Sequence, residues 1–365
     1  SKLGSLGGGH VNGRQRTPKE CYEEALAHKL DYASAWYCLG TLGGGQVNGT
    51  QRTPNECYEQ ALAHQSNFAE AWCGLGVSGG SNNFNGDSAH KTAKQCYQMA
   101  LSQKPDLVEA WCLLGRAGGG HVNGALRVAK DCYEMALSHQ PDCAEAWCGL
   151  GMEGGGSVNG IQRTQRECCE IALSHKQDKA DAWYALGLAG GGHVGSRVRT
   201  ERECYEMALS YRPDCPEAWH GLGGVGGGRA NGVMKTQKEC YETALAHEPN
   251  NADAWCSLGV VGGGCVNGST RTPKECFEIA LAQDQDDAEA WYNLGSEGGG
   301  CVKGTLRPAQ ECFEIALSHK PDYAKAWQRL GELGGAEVAG QAFSKQECLE
   351  RASELNLRRV IRARR

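Results

Sequence analysis

Proline is scarce and aromatic residues are few. Ten prolines and 7% aromatics among 365 residues stand beside 52 glycines. Glycine is thus roughly twice its ordinary share without a matching excess of proline, which excludes a proline-rich disordered chain. Basic residues are not in excess: 37 Lys and Arg face 43 Asp and Glu, for a net charge of −6. That balance argues against a general nucleic-acid binder. No apolar run reaches the length of a membrane span, and no secretory hydrophobic segment opens the sequence. The twenty cysteines include no C-x-x-C pair and no interleaved Cys/His spacing, so no metal site is expected. No phosphate-loop motif follows a strand, and no cofactor is implied.

What the chain does have is a period. Its nine tryptophans are Trp36, Trp72, Trp111, Trp147, Trp183, Trp219, Trp255, Trp291 and Trp327. Seven of the eight intervals are 36 residues and one is 39. Periods of this size mean stacked supersecondary units, and these Trp are assigned to the repeat core.

One unit reads from Asp142 to His175. Asp142 and Glu145 have the spacing of a capping box, as do Asp106 and Glu109, Asp214 and Glu217, and Asp286 and Glu289. A first helix, helix A, then carries Ala146, Trp147 and Leu150 on one face. The glycines Gly154 to Gly156 stop it after about ten residues, or ~15 Å. Val158-Asn159-Gly160 is a turn signal. Thr164 and Glu167 form a second capping box and open helix B, which carries Cys168, Cys169, Ile171, Ala172 and Leu173 and ends near His175. Pro54 and Pro273 stand at the first helical position of other units.

The pattern W-x-x-L-G, followed by an aromatic with Ala-Leu three residues on and then Pro, resembles the tetratricopeptide repeat. Trp147, Leu150 and Gly151 fit its helix A, and Ala129, Tyr133, Ala136 and Pro141 fit its helix B. The resemblance runs from Leu3 to about Ala352. Two features depart from it. Glycines such as Gly43, Gly118 and Gly154 replace the family's helix A tyrosine, and a G-G-G-x-V-N-G loop lengthens the unit from 34 to 36 residues. The resemblance implies an all-α, right-handed solenoid of tandem helix-loop-helix units, with each unit touching only its neighbours. We expect a continuous array over 1–343, starting mid-repeat at Leu3-Gly4, and a terminal helix over 344–365 with a basic end containing Arg358, Arg359, Arg362, Arg364 and Arg365.

The repeated chemistry has plain readings. Cysteines at one helix B position (Cys21, Cys57, Cys96, Cys132, Cys168, Cys204, Cys240, Cys276, Cys312 and Cys348) read as small buried hydrophobes; a disulfide ladder is the alternative. The glycine triplet reads as a helix stop, with Val47, Val122, Val158, Val266 and Val302 plugging the loop onto the helices. His28, His64, His139, His175, His247 and His319 fall near helix B ends, where the helix dipole favours them. Asn48 and Asn267 are glycosylation acceptors only in a secreted protein. A basic residue precedes helix B in nine units: Arg16, Arg52, Lys91, Arg127, Arg163, Arg199, Lys235, Arg271 and Arg307. It either pairs with a helix B glutamate or builds a basic edge for an anionic partner.

A uniform array offers no convergent set of unlike groups, so no catalytic residue is assigned and the chain is read as a non-enzyme. By analogy with the family, positions one and five after each Trp face a protein partner: Tyr37, Cys73, Cys112, Arg116, Cys148, Met152, Tyr184, Leu188, His220 and Tyr292. The leading reading is a scaffold for protein–protein interaction within a larger assembly. The alternative is a self-assembling filament, a homopolymer of stacked repeats with complementary basic and acidic edges. The first suits an intracellular protein, and the second an extracellular one.

Overall fold

The computed structural model describes residues 9–11, 14–80 and 91–363. Leu3, Gly4, Arg364 and Arg365, and the side chain of Arg362, lie outside what is described. The chain forms two compact units, Ser1–Asp178 and Lys179–Arg365.

The first unit carries β1 (Gly9–Val11), β2 (Arg14–Arg16), α1 (Pro18–His28), α2 (Ala33–Thr41), β3 (Gly45–Val47), β4 (Thr50–Arg52), α3 (Pro54–His64), α4 (Ala69–Val77), α5 (Ala93–Gln103), α6 (Val108–Arg116), β5 (Gly120–Val122), β6 (Ala125–Arg127), α7 (Ala129–His139), α8 (Ala144–Met152), β7 (Gly155–Val158), β8 (Ile161–Thr164) and α9 (Gln165–His175). The second carries α10 (Ala180–Leu188), β9 (Gly192–Val194), β10 (Arg197–Arg199), α11 (Glu201–Tyr211), α12 (Pro216–Gly224), β11 (Gly227–Ala230), β12 (Val233–Thr236), α13 (Gln237–His247), α14 (Ala252–Val260), β13 (Gly264–Val266), β14 (Ser269–Arg271), α15 (Pro273–Gln283), α16 (Ala288–Ser296), β15 (Gly299–Val302), β16 (Thr305–Pro308), α17 (Ala309–His319), α18 (Ala324–Leu333), β17 (Gly335–Val338), β18 (Gln341–Ser344) and α19 (Lys345–Ala363). In both, a helix A packs on the helix B that follows it, and that helix B packs on the next helix A. Each unit is a helical repeat solenoid.

Helix B begins where the sequence places it. The hydroxyls of Thr17, Thr53, Thr164, Thr200, Thr236 and Thr272 accept the backbone N–H of the residue three on, and that residue's carboxylate accepts the threonine N–H. The latter bond is the main reason Glu20, Glu56, Glu167, Glu203, Glu239 and Glu275 lie below the usual carboxylate range. Val128 has no side-chain acceptor, so α7 keeps only half the box, from Val128 N–H to Asp131 Oδ2 at 3.2 Å.

Helix A begins differently from the expectation. The capping boxes at Asp106, Asp142, Asp214 and Asp286 do not form. The N-caps are one residue later, at Leu107, Cys143, Cys215 and Asp287, and only Asp287 of these caps with its side chain. The indole explains the shift. Trp147 Nε1–H donates to Pro141 O at 2.7 Å, which ties the loop to the helix and leaves Asp142 in solvent. The same bond joins Trp36 to Leu30, Trp72 to Ser66, Trp111 to Pro105, Trp219 to Pro213, Trp255 to Pro249, Trp291 to Gln285 and Trp327 to Pro321, at 2.6–3.0 Å. All nine rings are buried. The core of most repeats is this ring, the following Leu, and the Cys, aromatic, Ala and Leu of helix B; in α9 Cys169 takes the aromatic position.

The glycine-rich loop is ordered as an antiparallel β-hairpin, with Gly45 opposite Arg52 and Val47 opposite Thr50 in the β3–β4 copy. Asn48 and Gly49, at φ of 50° and 78°, supply the two left-handed residues that a tight hairpin turn needs. That requirement accounts for Asn48 and Asn267 in backbone terms. Val47, Val122, Val158, Val266 and Val302 are buried beneath the hairpins.

A clasp then holds six of the described hairpins to the preceding repeat. Glu134 Oε1 of α7 accepts the Ser157 N–H of β7 at 2.6 Å. Glu23 to Gln46, Glu206 to Arg229, Glu242 to Cys265, Glu278 to Cys301 and Glu314 to Glu337 repeat it. The third glycine makes room for it. A Cβ at Gly156 would stand 2.5 Å from Glu134 Oε1 and 2.6 Å from Leu150 Cδ1.

Candidate functional site

The positions expected to meet a partner divide into two groups. Those one residue after Trp line the seam towards the next helix B. Tyr37 packs on Tyr58 with ring centroids 6.0 Å apart, Tyr184 on Tyr205 at 6.1 Å, His220 on Tyr241 at 5.5 Å and Tyr292 on Phe313 at 5.6 Å. Tyr37 and Tyr292 also touch Phe68 and Tyr323, each at 5.0 Å. Cys73 and Cys148 are buried, and Cys112 is half-buried. Burial holds Cys73 and Tyr133 well above their ordinary ranges, the tyrosine at about 12. This column is mostly packing surface.

Positions five residues after Trp are open. Arg116 is exposed in α6, and Val77 and Met152 stand out from α4 and α8 in the first unit. Leu188 and Val260 stand out from α10 and α14 in the second, Leu188 at 52% exposure. A second open set lies on the outer hairpin strands. Leu126, Ile161, Val198, Val233, Met234 and Leu306 are all more than half exposed. They follow the hairpin turn, which is Asn-Gly in three copies, Gly195-Ser196 before Val198 and Lys303-Gly304 before Leu306; the G-G-G-x-V motif says nothing about these residues, and only the hairpin geometry turns them outward.

The basic edge is largely neutralised within the chain. Arg52, Arg163, Arg199 and Arg271 pair with Glu56, Glu167, Glu203 and Glu275 at 3.6–3.7 Å. Arg16 reaches Glu24 at 3.6 Å, and Arg307 pairs with Glu311. The Nε atoms of Arg16, Arg52 and Arg199 are buried without a hydrogen-bond partner, so these stems lie along the repeat and do not project as a free ladder. Lys91, Arg127 and Lys235 occupy the same position and are half-buried. The acidic edge is also engaged. Lys104 meets Glu70 at 2.8 Å, Lys176 meets Glu145 at 3.8 Å and Arg212 meets Asp181 at 2.6 Å, each linking the end of a helix B to the preceding helix A.

Unlike groups converge in one cleft of the second unit, about 340 Å³ in volume and lined by His220, Tyr241, Asp253, Cys256, Ser257 and Glu289 among others. His220 Nε2 lies 3.0 Å from Ser257 Oγ. Burial lowers the imidazole below its ordinary range, and Asp253 opposes that through its charge. A serine–histidine contact alone lacks the oriented third group and oxyanion donors that acyl transfer requires. Among the described residues no three His, Cys, Asp or Glu side chains gather as metal ligands, and no helix is long and apolar enough to cross a membrane.

No family model and no curated protein matches the sequence. Among solved structures the chain is similar to a Sel1 repeat protein from Oxalobacter formigenes, at 19% identity and a TM-score of 0.41, over 86% of this chain and 90% of that one. It is also similar to human IFIT1, solved as a dimer with m7Gppp-AAAA, at 12% identity and a TM-score of 0.32, over 95% of this chain and 77% of that one. Both likenesses are too remote to carry an activity or a partner to this chain.

Proposed function

We propose that the chain is a non-catalytic repeat scaffold whose exposed helix A ends present a variable surface to a protein partner. One contrast carries the reading. Trp, the following Leu and Gly, and the helix B Cys recur from unit to unit and are buried, while the open position five after Trp is Val77, Arg116 or Met152 in the first unit and Leu188, Gly224, Val260 or Ser296 in the second. The same position is Thr41 after Trp36 and Glu332 after Trp327, both exposed. Packing explains the recurrent set. It does not explain exposed Val, Met and Leu, and recurring exposed apolar residues suit a contact surface. The tetratricopeptide-like pattern of the sequence favours the same reading by analogy. The net charge of −6 and the paired arginines do not favour a nucleic-acid ligand.

The second reading is a self-assembling filament. The apolar outer strands β6, β8, β10, β12 and β16 favour it, because short hairpins leave strand edges open to another chain. The charged edges do not, since most of their arginines are already paired. Light scattering of the purified chain, with imaging of the same sample across a salt series, separates the two. The scaffold predicts a discrete particle of 39.1 kDa or a small multiple of it. Filaments that persist across the series would replace the scaffold with the polymer.

A further inference from the structure

The twenty cysteines are all thiols rather than disulfides, yet they are not equivalent. Those of helix B are buried, and burial pushes Cys57 and Cys204 up to about 12 and Cys132, Cys168, Cys240, Cys276 and Cys312 up to about 11. Such thiols are poor nucleophiles at neutral pH. Cys265 and Cys301 are exposed on the separate strands β13 and β15.

One pair stands apart. Cys112 of α6 and Cys143, the N-cap of α8, belong to consecutive repeats and place their sulfurs 3.8 Å apart. Both are half-buried and within reach of a small reagent. A disulfide bond is about 2.05 Å long, so closing the gap asks for about 1 Å from each sulfur. The Cys112 contact is also the largest influence on the Cys143 thiol, and it lowers it. Burial and the Glu145 carboxylate oppose this, the Ala146 and Glu145 amides at the start of α8 add to it, and the thiol lies at about 7.

We propose that Cys112 and Cys143 form a redox-active dithiol, which a low-molecular-weight disulfide oxidises to a bond between adjacent repeats. Cys143, as thiolate, attacks one sulfur of the reagent R–S–S–R. The S–S bond breaks, and R–S⁻ leaves and takes a proton from solvent. Cys112 then gives its proton to solvent and attacks Cys143 Sγ in the mixed disulfide, expelling the second R–S⁻. The two protein thiols lose two electrons, and one R–S–S–R becomes two R–SH. The bond ties α6 to the start of α8, and so sets the two helices that end in Arg116 and Met152 against each other.

The test uses the reduced full chain in oxidised glutathione, with acid quench, alkylation and peptide mass mapping over time. The expected first intrachain linkage joins Cys112 to Cys143. Cys143→Ser loses it, and Cys112→Ser accumulates a mixed disulfide with glutathione at Cys143 that the unaltered chain passes through only transiently. Glutathione on Cys265 and Cys301 with no Cys112–Cys143 linkage overturns the proposal, because the reagent has then acted and the pair has not. An equal yield of mixed disulfide at Cys143 in the unaltered chain and in Cys112→Ser overturns it as well. The last comparison stands without Cys143→Ser, should that variant fail to fold.

Discussion

Replacing Trp147 with alanine lowers the stability of its repeat by about 3–5 kcal/mol, the range for removing a buried aromatic. Two interactions go at once, and their sizes differ. The ring fills the space between its own helix and the neighbouring ones and is 6% exposed. Its Nε1–H donates to Pro141 O at 2.7 Å, a bond worth about 1 kcal/mol net. Pro141 lies at the surface, so its carbonyl turns to water when the donor is lost. Packing therefore dominates, and Trp147→Phe, which keeps most of the ring, should cost far less than Trp147→Ala. Urea denaturation followed by circular dichroism measures both. A Trp147→Ala loss below about 1 kcal/mol would mean the ring does not hold the repeat together.

Gly187→Ala sets two effects against each other. Helix propensity alone favours alanine by about 1 kcal/mol. Sterics oppose it. A Cβ at Gly187 would stand 2.5 Å from Tyr205 Cε1, and one at Gly221 would stand 2.8 Å from the same atom, so the ring is enclosed by glycines of two consecutive helices A. It has no room to retreat. Overpacking a fitted core costs about 1–3 kcal/mol, and here it outweighs propensity, so Gly187→Ala is destabilising. In a Tyr205→Leu background the same change should cost less, because the ring it strikes is gone. A stabilised Gly187→Ala would show that the ring moves freely. The same enclosure explains why W-x-x-L ends in glycine: Gly40, Gly76, Gly115, Gly223, Gly259 and Gly295 each face the aromatic of the following helix B.

Much of this was legible in the residues. Trp spacing marks the repeats, and Thr164 with Glu167 marks the start of helix B. Both signals are local, and a local signal survives folding. Where the structure departs from the pattern, a contact or a geometry that appears only on folding decides. Asp142 and Glu145 match a capping box, but the indole five residues beyond Asp142 fixes the loop first and moves the cap to Cys143. Tyr37 and His220 look like fully open positions in one helix, yet Tyr58 and Tyr241 of the next helix pack against them and leave them half-buried. The hairpin was only half visible. Asn159-Gly160 announces a turn, while its flanking strands are four residues each, too short for alternation to stand out. The Glu clasp left a trace in the recurrent Cys-aromatic-Glu phrase of helix B, as at Cys240-Tyr241-Glu242. Its meaning appears only when the hairpin 23 residues on folds back against it.

Among the described residues, ordered hairpins join the two helices of a repeat, and six of these hairpins are clasped to the unit before them. Amide hydrogen exchange tests this directly at Ser157, Arg229, Cys265 and Cys301, whose N–H groups the clasp glutamates accept at 2.6–2.7 Å. These amides should exchange with the slow class of the adjoining helices, and Glu242→Ala should release Cys265 alone. Exchange at the rate of an open glycine loop, in the unaltered chain and in Glu242→Ala alike, would contradict the account.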